Sequence, residues 1–125
     1  MLPRSHRLSK QRDVERVSQM GRPVFAPHLT IRAVPNRIGR PRATVVAGLK
    51  VSKRSNVRNR VKRLVREVIR RHLPSIRTDA DVVIYVKPHA VGKHYRELAD
   101  EVGRALDRAR LLRGPWVDKG VKSKK

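Results

Sequence analysis

A chain of 125 residues is long enough for one domain with its own core, burying roughly two-thirds of the surface that its unfolded form exposes. Its 32 Lys and Arg against 10 Asp and Glu leave a formal net charge of +22, a self-repulsion that a polyanionic partner offsets, nucleic acid being the first candidate. Zero cysteines exclude disulfides and thiolate-ligated zinc; no stretch approaches the roughly 20 apolar residues that span a bilayer, and no early run suits a signal peptide, so a cytoplasmic protein without a membrane partner is expected.

Ser9 is placed to cap a short helix in which Val14, Val17 and Met20 share one side and which Gly21 ends. Pro23, Val24 and Phe25 predict a short extended piece, after which Leu29, Ile31 and Ala33 alternate with His28, Thr30 and Arg32 at the period of a half-buried strand. Two prolines, Asn36 and Gly39 mark a turn over residues 35–41, and the β-branched Thr44, Val45 and Val46 make residues 43–51 the returning arm of a hairpin. From Val57 the spacing changes. Val57, Val61, Leu64, Val65, Val68 and Ile69 recur at helical intervals, with Ser55 or Asn56 as cap and Pro74 beyond the end.

Asp81 opens the unbroken run Val82, Val83, Ile84, Tyr85 and Val86, which suits a strand in the middle of a sheet covered on both faces. Tyr95, Leu98, Val102, Ala105, Leu106, Ala109 and Leu112 trace a last amphipathic helix, broken by Gly114 and Pro115. These elements make one α+β domain at residues 1–112, a small α/β sandwich with one sheet of about four strands and three helices in the order α-β-β-β-α-β-α. Residues 113–125 read as a basic, flexible tail.

Within residues 50–72, ten cations (Lys50, Lys53, Arg54, Arg58, Arg60, Lys62, Arg63, Arg66, Arg70 and Arg71) meet a single acid, Glu67. On a helix Arg58, Lys62, Arg66 and Arg70 form one stripe, and Arg60, Arg63 and Arg71 widen the basic surface. Like charges at that spacing destabilise a helix by roughly 0.2–0.5 kcal/mol per pair, and cations near its N-terminus oppose the helix dipole. A solvated surface helix usually mixes both signs of charge; here the acids are missing, which favours binding of RNA or DNA. Arginine, the commoner cation here, offers a planar fork that grips a phosphate with two hydrogen bonds or stacks on a base, and Asn59 adds a neutral donor and acceptor.

The string Arg58-Asn59-Arg60-Val61-Lys62-Arg63-Leu64-Val65-Arg66-Glu67 resembles the signature of the bacterial ribonuclease P protein family, in which an Arg-Asn-Arg core opens a basic helix. The likeness extends to Val51-Ser52-Lys53, to a first helix over residues 8–21, and to the apolar strand at 82–86 followed by Lys87 and Pro88. The resemblance implies a sandwich with a left-handed crossover and a protein subunit of an endoribonuclease that removes the 5′ leader of precursor tRNA. Its implied partners are the catalytic ribonuclease P RNA and precursor tRNA, with no small-molecule substrate. No cofactor is implied on the protein, and the active site with its magnesium is expected in the RNA.

Carried over residue by residue, Ser52, Lys53, Arg54, Arg58, Asn59, Arg60, Lys62, Arg63 and Arg66 meet the catalytic RNA, while Arg12, Val14, Ser18 and Arg32 line the cleft for the leader. Two departures stand out. The connection between Lys53-Arg54 and Arg58 is shorter than the glycine- and alanine-containing one usual in the family. Val14, Ser18 and Arg32 stand where relatives usually carry rings that stack on leader nucleotides, so Arg32 is expected to replace part of that contact by charge or guanidinium stacking.

Other chemistry is poorly supplied. Most acids alternate with cations on the last helix, where Arg96, Asp100 and Arg104 suit ordinary i,i+4 pairs, so no catalytic carboxylate is assigned. Asp79 and Asp81 suit turn or cap roles at a strand start, and His89 with His94 lacks a third metal ligand. Tyr85 and Tyr95 lie on apolar patterns as core residues, Trp116 suits either core or stacking, and four aromatics make a surface of many stacking rings unexpected. The alternatives are a structural ribosomal or other RNA-binding protein, a DNA binder, and a membrane-surface helix at residues 57–72, whose apolar side the core needs.

Overall fold

The computed structural model describes residues 3–76 and 79–112, so the tail at 113–125, Trp116 included, lies outside the described residues. Among them the periodic segments become α1 (Gln11–Met20), β1 (Arg22–Phe25), β2 (Leu29–Pro35), β3 (Arg42–Val46), α2 (Ser55–His72), β4 (Ala80–Val86) and α3 (Tyr95–Arg108), in the order read from the sequence. The strands form one sheet in the order β1-β2-β4-β3, in which β4 runs antiparallel to β2 and parallel to β3. The parallel pair is joined through α2, the connection that the resemblance implies to be left-handed. None of the described helices is long and apolar enough to cross a membrane.

The expected hairpin between β2 and β3 does not form. β4 lies between them because Val82, Val83 and Ile84 point to alternate faces and all are wholly buried, which only a strand with neighbours on both sides and cover on both faces achieves. The hairpin is instead β1 with β2, closed where the Ala26 amide donates to the Leu29 carbonyl at 2.9 Å. β3 stops at Val46, short of Val51, whose side chain joins the core from the loop.

One face of the sheet, with Leu29, Ile31, Val45, Val82 and Ile84, packs against Val61, Val65 and Ile69 of α2 and Leu98, Val102 and Leu106 of α3. The other carries a smaller cluster of Leu8, Val17, Val34 and Val83, with half-buried Val14 and Tyr85, under α1. Alternation along β2 and β4 thus serves two layers, and α1 lies across β2 and β4.

Helix ends depart from expectation. Residues 8–10 are not helical: the Leu8 amide donates to the Ala43 carbonyl at 3.0 Å, pinning the chain to the edge of β3, so Lys10 rather than Ser9 takes the N-cap position without a side-chain bond. Met20 is exposed, leaving Val17 as the buried residue of α1. Gly21 ends that helix through close approach, since a Cβ there would lie 2.5 Å from the Val17 carbonyl oxygen and 3.1 Å from the Ala33 nitrogen. Neither Ser55 nor Asn56 caps α2; Arg54 holds the N-cap position, its amide donating to Ser52 Oγ at 3.1 Å. α3 closes at Arg108, and Leu112 bridges to Ile76 instead of extending the helix. Among the described residues Asp100 pairs with neither Arg96 nor Arg104; α3 and its approach are tied by Lys93 to Glu97 at 4.0 Å and by His28 to Glu101.

Candidate nucleic-acid interface

Burial of Val61, Val65, Val68 and Ile69 turns the other side of α2 to solvent, and the density of cations is greatest there. Asn59, Arg60 and Arg63 are exposed, with Lys62 and Arg66 half-buried beside them. The predicted stripe of four divides into three kinds of cation. Arg58 is anchored, its Nη1 donating to the Ser52 carbonyl at 2.8 Å, which ties the first turn of the helix to the loop carrying Ser52, Lys53 and Arg54. Arg70 is neutralised by Glu67, with Nη2 and Oε2 2.5 Å apart, and Arg71 reaches the same carboxylate at 3.3 Å while its guanidinium lies 5.1 Å from the Tyr95 ring centroid. The hydrogen bond from Arg70 above all holds the Glu67 carboxyl down at about 2, and the same bond raises Arg70. Among the described residues, the side chains of Lys53, Arg54, Arg60, Lys62, Arg63 and Arg66 make no hydrogen bond or ion pair.

The cleft residues divide as well. Val14, Ser18 and Arg32 come together where α1 crosses β2 and β4, Ser18 Oγ sharing a short hydrogen bond with the Tyr85 hydroxyl. Arg32 Nη1 donates to the Gly21 carbonyl at 2.9 Å and to the Ser18 carbonyl at 3.4 Å. Its cation therefore satisfies the C-terminal end of α1, a place where positive charge is favoured. Arg12 is exposed and stands two positions before Val14, roughly 200° away round the helix, so the fold does not bring it to the other three.

Two residues have roles that sequence reading misplaced. Tyr85, expected in the core, is half-buried on the α1 side of the sheet; its alternation with buried Ile84 and Val86 was the available signal. Asp81 is not a turn or cap residue. It is fully buried and accepts from Arg16 at 2.7 Å, from Arg42 at 2.9 and 2.8 Å, and from Asn36 Nδ2 at 2.7 Å. The hydrogen bond to Asp81 raises Arg42 above its ordinary value. This carboxylate fixes α1, the 35–41 turn and β3 to β4, and so fixes the angle at which α1 overhangs the sheet. Among the described residues no three of His, Asp and Glu converge as metal ligands.

In comparison with known proteins, the model of the family described as Ribonuclease P matches residues 2–110. The chain belongs to the ribonuclease P protein family. It is 34% identical to the ribonuclease P protein component of a Cyanothece strain over 91% of this chain and 99% of the relative, and 33% identical to that of Microcystis aeruginosa over 90% and 98%. Among solved structures, the ribonuclease P protein from Staphylococcus aureus superposes with a TM-score of 0.76 at 19% identity, covering 94% of this chain and 98% of that one. The one from Thermotoga maritima gives 0.72 at 23%, covering 82% and 96%. Membership of the ribonuclease P protein family sets the chain's function in tRNA 5′ processing, as part of an endoribonuclease complex.

Proposed function

We propose that this chain docks α2 on the RNA of ribonuclease P while the cleft between α1 and the sheet receives the 5′ leader of precursor tRNA. The observation that carries this reading is the group of unpaired cations around Arg60 on a helix whose opposite side is committed to the core. Guanidinium forks at Arg60, Arg63 and Arg66 suit phosphate oxygens, and Asn59 between two arginines suits a sugar or base edge. The contact is electrostatic in its main part, because each phosphate neutralised releases condensed counterions.

In this reading the chain contributes binding and orientation, and the active site with its magnesium belongs to the RNA. Holding leader and catalytic RNA together raises substrate affinity and reduces the magnesium that the complex requires. The reading sets this work in the cytoplasm. It is tested with a bacterial ribonuclease P RNA and 5′-labelled precursor tRNA at limiting magnesium. Protein alone is expected to be inactive, wild type to restore cleavage at the correct 5′ site, and Arg60→Ala to do so poorly. Tight RNA binding by wild type without any stimulation of cleavage would sink the proposal.

A further inference from the structure

The register of the sheet aligns four residues into one row across all four strands. Phe25 pairs with Thr30, Thr30 with Tyr85, and Tyr85 with Val46. Directly paired residues share a face, and Tyr85 identifies it as the α1 face. α1 covers the neighbouring rows through Val34 and Val83 and reaches this one at Tyr85 through Ser18, but it leaves both ends of the row open: Phe25 is 63% exposed and Val46 37%. A phenylalanine so exposed adds little to the core, so the fold leaves its ring available as a contact surface.

The surroundings of that ring select the contact. Lys87 Nζ lies 5.8 Å from its centroid and is held there by donating to the Ala26 carbonyl at 2.7 Å. Arg108 Nη2 donates to the Phe25 carbonyl at 2.7 Å, fixing a second cation at the same strand end. Glu101, the acid beside the adjoining turn, is taken up by the His28 ring and amide at 2.5 and 2.7 Å. An exposed ring with one fixed cation over it and a second at its strand end matches an unpaired base with its phosphate, since stacking uses the exposed part of the ring and the phosphate uses the ammonium. Tyr85 stands two strands away in the same row, about 10 Å at ordinary strand spacing.

We propose that Phe25 is a stacking platform for an unpaired nucleobase of the 5′ leader, which crosses the sheet along this row from Tyr85 to the edge strand β1, with Lys87 on an adjoining phosphate. The proposal rests on the leader reading above and adds a residue that neither the helix nor the expected cleft contains. Sequence reading placed Phe25 in an extended piece but had no means of knowing that its face of β1 is left uncovered.

The test uses the holoenzyme assembled with a bacterial ribonuclease P RNA and precursor tRNAs carrying 2-aminopurine at single, successive leader positions. Fluorescence at one position is expected to be quenched by wild type and by Phe25→Trp and released by Phe25→Ala. Affinity for leader-bearing substrate is expected to fall roughly 5- to 150-fold in Phe25→Ala, the range for one stacked base. Affinity for mature tRNA without a leader and for the ribonuclease P RNA alone stays unchanged. Wild-type quenching and affinity in Phe25→Ala overturn the proposal. So does a loss confined to binding of the ribonuclease P RNA, which assigns the ring to that RNA's own unpaired base. A wild type indifferent to the leader at every position defeats the leader reading itself, and the platform with it.

Discussion

Asp81 joins residues as far as 65 positions away in the chain. Its burial is tolerable because Arg16, Arg42 and Asn36 occupy both carboxylate oxygens. Asp81→Ala takes the main acceptor from a mostly buried Arg42, leaving it only Asp13 at 3.8 Å, and one of two acceptors from a buried Asn36, a loss of about 3–5 kcal/mol by analogy with broken buried pairs, to be measured by urea unfolding. Unchanged stability would show that solvent replaces the carboxylate. Nothing local in the sequence announced this role: Asp81 and Asp79 look alike in a strand-opening segment, and only the tertiary fold brings three distant donors to one of them. Tyr85 shows the intermediate case, since the strand was legible but its covered and half-open faces were not.

At the scale of the element, α2 separates the cations that stabilise the helix from those left for a partner. Its length and buried side were legible because apolar residues at helical spacing leave few other folds for them. Its cap was not, because a serine or asparagine near a helix start caps only when the loop before it has the right direction, and here Ser52 serves from further back. Glu67 gives the element a pH signature. Its carboxyl is depressed from the ordinary value of 4.5 to about 2, chiefly by Arg70, so the stabilisation it brings is complete above the unfolded value and fades as pH falls towards 2. The urea midpoint of wild type should therefore exceed that of Glu67→Gln at pH 6, and the two should converge between pH 4.5 and 2. A constant difference over that range would mean that Glu67 acts through packing instead.

At the scale of the whole molecule, the strongly basic composition was legible at once, and it sets the expected response to salt. With six to ten phosphate contacts, affinity for a helical RNA is expected to fall roughly 10³- to 10⁵-fold between 50 and 200 mM salt, measured by filter binding, somewhat less for single strands. A flat response would contradict a phosphate-dominated contact. Strand order was not legible. Neighbours in sequence are the natural guess for neighbours in a sheet, and that guess fails here because the most apolar strand, made last, takes the middle. During synthesis the β1–β2 hairpin can close early, but the far side of β2 and the inner side of β3 wait for β4, whose pairing residue Asp81 follows Arg42 by 39 positions. Until then the growing chain is a polycation with open strand edges, emerging from a machine built largely of RNA, and the last strand to leave the ribosome is the one that closes the sheet.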